Sequence, residues 1–219
     1  MPRLLFEKTG NAVWISHLDL MRLFQRAFKR SGLPLKHTQG FNPRPSVSIA
    51  LPLSVGVESH CELLDFDLDA DSPSLEEIHS RLNGALVEGV RVLQVYADGR
   101  KLRDLALLSC IVSLEYDNGV PAGAVEAIKA LFEQASLPVS KKSKNGPVEQ
   151  DIIPMIKHME VTAVDGHTVG ISALICCQNP SMNPMQISGA VERYLPACKP
   201  DHSVCRRLEI YDGQRKIFR

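Results

Sequence analysis

The chain has 219 residues, with 25 Lys or Arg against 25 Asp or Glu, so its formal net charge is zero. Hydrophobic residues make up 44% and charged residues 23%. That composition excludes a disordered tail, a collagen-like chain and a uniformly basic nucleic-acid binder. At this length a chain buries roughly 70–75% of its unfolded surface and needs no disulfide or metal to fold.

The opening residues, Met1-Pro2-Arg3-Leu4-Leu5-Phe6-Glu7-Lys8, return to charge too soon for a secretory signal. No apolar run approaches the ~20 residues that span a bilayer. The expectation is a cytoplasmic protein with reduced thiols and no membrane partner. Its six cysteines contain no C-x-x-C pair and no C-x-x-x-C-x-x-C run for an iron–sulfur cluster, so no cofactor is expected. Cys110, Cys176 and Cys177 lie in apolar stretches and read as small core residues. Cys198, His202 and Cys205 offer three soft ligands, whereas a structural zinc site takes four in tighter pairs. They are read as loop residues, with no metal.

Along the chain, residues 3–8 and 12–15 read as a strand interrupted by a turn or bulge at Thr9-Gly10-Asn11. Ser16-His17-Leu18-Asp19 fits a helix-capping signature. The helix it opens runs to about Ser31, where Gly32 and Pro34 stop it. His17, Leu20, Met21, Phe24, Ala27 and Phe28 share one face, and Arg22, Gln25, Arg26, Lys29 and Arg30 the other. Residues 33–45 form a loop, and 46–53 and 60–68 read as strands. A helix opens at Ser72-Pro73-Ser74 and runs to Val87, followed by a strand from Val90 to Tyr96. The second half repeats that order: strand 105–116, helix 121–135, strands 152–164 and 167–176 around the turn signal Asp165-Gly166, a short helix from Asn183-Pro184 to Leu195, and strand 204–211. The run Lys141-Lys142-Ser143-Lys144 reads as a solvated loop. The predicted class is α+β: two tandem ferredoxin-like (β-α-β-β-α-β) units with antiparallel sheets, over residues 1–100 and 105–219.

Zero net charge conceals a separation. Residues 1–45 hold eight Lys or Arg against two acids, a balance of +6; residues 46–90 hold one Arg against nine acids, a balance of −8. Such asymmetry marks a polyanion-binding surface, or else facing elements that pair their opposite charges.

The positive block contains a distinctive series. Ile15-Ser16-His17-Leu18-Asp19-Leu20-Met21-Arg22 is followed by Ser31-Gly32-Leu33-Pro34-Leu35, Gln39-Gly40-Phe41-Asn42-Pro43-Arg44-Pro45 and Leu53-Ser54-Val55-Gly56-Val57-Glu58-Ser59. In this order the motifs resemble the radical-SAM-linked protein family of unknown function, whose members are short bacterial proteins or C-terminal extensions of B12-binding-type radical SAM proteins. Weaker matches continue at Asp151-Ile152-Ile153-Pro154-Met155-Ile156-Lys157 and at Arg206-Arg207-Leu208. The resemblance implies a radical SAM protein as partner and supplies no activity. Arg44 stands where many relatives carry a histidine, and Lys36-His37-Thr38 replaces a Tyr-Ser-like stretch.

The candidate site joins the helix cap to the loop after the helix. Ser16 and His17 sit at a helix N-terminus suited to an anion. Arg44 offers a bidentate fork, Phe41 a stacking surface, Gln39 and Asn42 amide hydrogen bonds, and Arg22, Arg26, Lys29 and Arg30 phosphate contacts. The alternative for the same residues is structural: Ser16 and Asp19 cap the helix, His17 packs under the loop, and the prolines stiffen a turn. The function expected is a non-catalytic accessory that binds RNA or another polyanion. A metal-independent endoribonuclease with His17 as general base, and a pure protein-interaction module, are the alternatives.

Overall fold

The fold is described from a computed structural model over residues 1–69, 73–143 and 146–219. The protein is mixed α+β, and it divides into two units, Met1–Asp104 with Ile217–Arg219, and Leu105–Lys216.

The first unit runs β1 (Arg3–Lys8), α1 (His17–Arg30), β2 (Val47–Ile49), β3 (Val57–Phe66), α2 (Leu75–Asn83) and β4 (Val90–Tyr96). All pairings are antiparallel, and the strand order is β4-β1-β3-β2. Leu4 and Phe6 of β1 and Leu64 and Phe66 of β3 share one core with Leu20, Phe24, Ala27 and Phe28 of α1 and Ile78 and Leu82 of α2. Phe6 meets Phe24 edge-on at 4.7 Å, and Phe28 meets Phe66 at 5.1 Å. These ring pairs add to the area that the apolar stripe buries.

Helix α1 starts and stops for local reasons. Ser16 Oγ accepts from the Asp19 N–H at 3.2 Å and donates to Asp19 Oδ2 at 2.7 Å. At the other end the Leu33 N–H reaches Phe28 O at 3.0 Å and the Gly32 N–H reaches Lys29 O at 3.3 Å. This double closure needs a left-handed residue, and Gly32 supplies it at φ +69°.

Several boundaries differ from the expectation. Residues 12–15 are not a strand; Gly10–Trp14 form a 3₁₀ turn, with Ala12 buried against Gly89. Strand β2 ends at Ile49 instead of reaching 53, because Pro52 has no N–H to donate. Strand β3 begins at Val57, directly after Gly56 at φ +80°. Helix α2 stops at Asn83 rather than Val87, because the Asn83 amide donates to Val92 O and accepts from the Val92 N–H, both at 2.9 Å. Ser72, read as part of its start, lies outside the described residues; Ser74 caps the helix.

The second unit runs β5 (Leu105–Glu115), α3 (Ala124–Phe132), β6 (Pro138–Ser143), β7 (Gly146–Asp151), β8 (Ile156–Ala163), β9 (Thr168–Cys176), α4 (Met185–Tyr194) and β10 (His202–Asp212). The main sheet is antiparallel in the order β10-β5-β9-β8. Residues 153–155 form a 3₁₀ turn, so β8 starts four residues later than expected. The β6–β7 hairpin is a correction: Lys141-Lys142-Ser143 belong to a strand, and Lys144 lies outside the described residues. The Tyr194 hydroxyl donates to Pro138 O at 2.7 Å and Arg193 pairs with Glu149 at 2.8 Å, tying the hairpin to α4.

The last three residues, read with the second unit, belong to the first. The Arg100 N–H donates to Arg219 O at 3.0 Å, and buried Phe218 lies beneath the guanidinium groups of Arg3 and Arg100 at 5.4 and 5.0 Å. Arg3 in turn grips Asp65 through two hydrogen bonds of 2.6 and 2.9 Å. Among the described residues no helix is long and apolar enough to cross a membrane.

Two stability measurements check these assignments. Asp65→Ala, which leaves Arg3 buried and uncompensated, lowers unfolding free energy by about 3–5 kcal/mol in urea titration, and adding Arg3→Met recovers most of the loss. Ser16→Ala, which removes only the α1 cap, costs about 1 kcal/mol in the same assay.

Candidate functional site

Four cationic side chains project from α1. Arg22, Arg26, Lys29 and Arg30 fall on the face opposite Leu20, Phe24, Ala27 and Phe28, as 3.6-residue periodicity requires, and none of the four is buried. Arg22 pairs with Asp19 at 2.9 Å, and Arg30 donates to the Ala85 carbonyl. Hydrogen bonds from Ser16 and then from Arg22 hold the Asp19 carboxyl below the usual carboxylate range. Arg26 and Lys29 make no ion pair within 4 Å among the described residues, although the Arg26 charge also helps hold the Asp19 carboxyl down.

Beyond the helix the chain doubles back as a finger. The Ser46 N–H donates to Lys36 O at 2.6 Å, the Thr38 N–H to Arg44 O at 2.8 Å, and the Arg44 N–H to Thr38 Oγ1 at 3.0 Å. Gln39, Phe41 and Asn42 occupy the tip, all exposed, and Gly40 turns it at φ +128°. The finger's base is tied to the strand side of the unit: the Lys36 N–H donates to Asp67 O at 2.9 Å, and Ser46 Oγ to Asp67 Oδ2 at 3.1 Å. Lys36 and Arg44 are exposed and, like Arg26 and Lys29, make no ion pair within 4 Å among the described residues.

Between α1 and the base of the finger lies a groove of about 510 Å³. Pro34 and Pro45 give it apolar surface, with Leu35 and fully buried Phe28 bordering it; Arg26, Lys29, Gln25 and His37 give it polar groups, and Gly32 leaves space. Of the residues expected at the site, Arg26 and Lys29 line this groove. Gln25, Pro34, Leu35, Pro45 and His37 were not among them. Their convergence depends on the pairing of 36 with 46 and 38 with 44, which leaves no local signature in sequence.

His17 stands elsewhere. It is the first residue of α1, nine positions and about 13 Å of helix before Arg26. Its Nδ1 is buried and has no hydrogen-bond partner among the described residues. Ser16 and Asp19 bond to each other rather than to it, so no side chain fixes its tautomer. Exposed Trp14 and Leu18 flank it in sequence.

The three residues weighed as metal ligands are divided by burial. Cys198 and Cys205 are buried and His202 is exposed, and among the described residues no metal-ligating cluster forms. Burial pushes the Cys205 thiol up to about 11. A thiol held protonated in this way is a poor ligand and a poor nucleophile.

Comparison with solved structures gives likeness of fold. A chain in the crystal structure of a Cbf5-Nop10-Gar1 complex is 9% identical with a TM-score of 0.54, over 98% of this chain and 50% of that one. A chain in the structure of an H/ACA RNP bound to a substrate RNA containing 2'-deoxyuridine is 9% identical with a TM-score of 0.48, over 98% and 48%. The protein thus spans about half the length of these chains. Among curated proteins none matches it. A family model described as "Uncharacterized protein conserved in bacteria (DUF2344)" matches residues 2–184, and the chain belongs to that family.

Proposed function

We propose that the protein is a non-catalytic accessory that binds RNA through the cationic face of α1 and the finger behind it, and presents it to a radical SAM enzyme. The observation that carries the reading is the set Arg26, Lys29, Lys36 and Arg44: accessible cations on α1 and the finger, with no ion pair within 4 Å among the described residues. A mere pairing of the +6 and −8 segments would have brought acids to them. Arg3 with Asp65 does join the two segments, but Glu77 pairs with Arg81 and Glu58 with His60 inside the acidic segment, and none of these acids reaches the four cations. Phosphate neutralisation by such cations supplies most of the affinity for RNA of any sequence.

The radical SAM partner rests on the ordered motifs from Ile15 to Ser59 and their family resemblance. We also read each unit as ferredoxin-like. Support comes from the element order β-α-β-β-α-β and the strand orders β4-β1-β3-β2 and β10-β5-β9-β8, with β6–β7 as an insertion in the second unit. Nuclease chemistry at His17 would need a partner to orient the imidazole and a second acid–base group, and no hydrogen bond of the described residues provides either.

Filter binding to total tRNA and to short single strands tests the reading. Retention falls steeply with salt, and Arg26→Glu with Lys29→Glu weakens it while flattening the log–log slope by about 0.7 for each phosphate left without its cation. Absence of salt-dependent retention would remove RNA and leave docking onto the enzyme partner as the role of this face. In a second experiment RNA incubated with the wild type or with His17→Ala stays full length on a gel; cleavage that His17→Ala abolishes would make the protein a nuclease instead.

A further inference from the structure

We infer that the groove beside α1 receives a single unpaired nucleobase, which makes single-stranded RNA, rather than duplex, the polymer that this face selects. The inference rests on the RNA-binding reading above and adds to it the element that recognises something other than charge.

The groove has two chemistries that no simpler ligand uses together. Its accessible apolar surface comes from the rings of Pro34 and Pro45, with a small edge of Leu35; Phe28 also borders it but is fully buried. The cations Arg26 and Lys29 also line it, with no ion pair within 4 Å among the described residues. A train of phosphates, or the outside of a duplex, makes no use of an apolar recess. An apolar protein side chain makes no use of two cations. A nucleotide matches both, because a flat heterocycle with polar edges is joined to a phosphate. Gln25 and His37, which also line the groove, carry the donors and acceptors that such edges require.

Size and rigidity agree with this occupant. At about 510 Å³ the groove lies within the roughly 300–1,000 Å³ of small-molecule sites. One wall is a helix and the other is held by backbone hydrogen bonds, including the bridge between His37 and Pro45. The recess is therefore preformed, which spares the cost of ordering it on binding. A base stacked and paired in an A-form duplex has no route into a recess of this kind. A base in a loop, bulge or free strand is already unstacked.

The test is fluorescence anisotropy of the full-length protein with three labelled 12-residue probes at equal charge per strand: a single-stranded RNA, the same strand in a duplex, and an abasic strand. The single strand binds at least about tenfold tighter than the other two. Gln25→Trp, which fills the groove and leaves Arg26 and Lys29 in place, and His37→Ala, on the exposed finger, each reduce single-strand affinity to the abasic level without changing the salt slope. Circular dichroism confirms that both variants fold, and His37→Ala leaves the core untouched. Equal, salt-dependent binding of all three probes would overturn the nucleobase inference and leave the polyanion reading standing. Failure of every probe to bind at low salt would overturn both.

Discussion

A buried ion pair orders the first unit. Arg3 on β1 and Asp65 on β3 meet through two hydrogen bonds of 2.6 and 2.9 Å, with the Arg3 side chain 2% exposed. Such a pair adds little net stability over a well-packed apolar substitute, but it tolerates no partial removal. Four parts of the chain converge on this one guanidinium: β1, β3, the turn at Gly99 and the ring of Phe218. A Cβ at Gly99 would lie 2.4 Å from Arg3 Cζ, so the turn is built to a glycine.

The pair also fixes register. With Arg3 opposite Asp65, Leu4 lies opposite Leu64 and Leu5 opposite Leu63. A slip of one residue would turn Leu4 and Phe6 out of the core. Phe6 is the ring against which Phe24 of α1 packs, and Phe28 packs against Phe66 of β3. The rotation of α1 about its own axis follows from these contacts, and so does the outward direction of Arg22, Arg26, Lys29 and Arg30. The cationic face is thus a consequence of strand register.

Elements written in local chemistry were legible in the sequence. Helix α1 has its cap in Ser16, its stripe in Leu20, Phe24 and Phe28, and its stop in Gly32; strand β4 and the Asp165-Gly166 hairpin are as local. The β6–β7 hairpin was not legible, because Ser140, Lys141, Glu149 and Gln150 show no apolar period and its attachment rests on Arg193 and Tyr194, more than 40 residues away. The return of Phe218 to Arg3 is longer still. In the candidate site the cations could be read singly, since exposed positions on an amphipathic helix follow from spacing. The recess could not, because Pro34 and Pro45 face one space only after the finger has paired.

Net neutrality then takes on a different meaning. A uniformly basic protein attracts nucleic acid over long distances and holds it with little discrimination. Here the acids of residues 46–90 remain on the same molecule and oppose a long-range positive field, while Arg26, Lys29, Lys36 and Arg44 make no ion pair among the described residues. Beyond a Debye length of about 8 Å at physiological salt, the two sets largely cease to be felt. What remains, on the RNA-binding reading proposed above, is short-range: phosphate contacts at Arg26, Lys29, Lys36 and Arg44, and an apolar recess within reach of two of them. The same reading engages few charges, so it gives low non-specific affinity and leaves the proposed base in the recess a correspondingly larger share of the total. For the proposed RNA binder, a zero balance therefore favours discrimination between strands over tight binding to all of them.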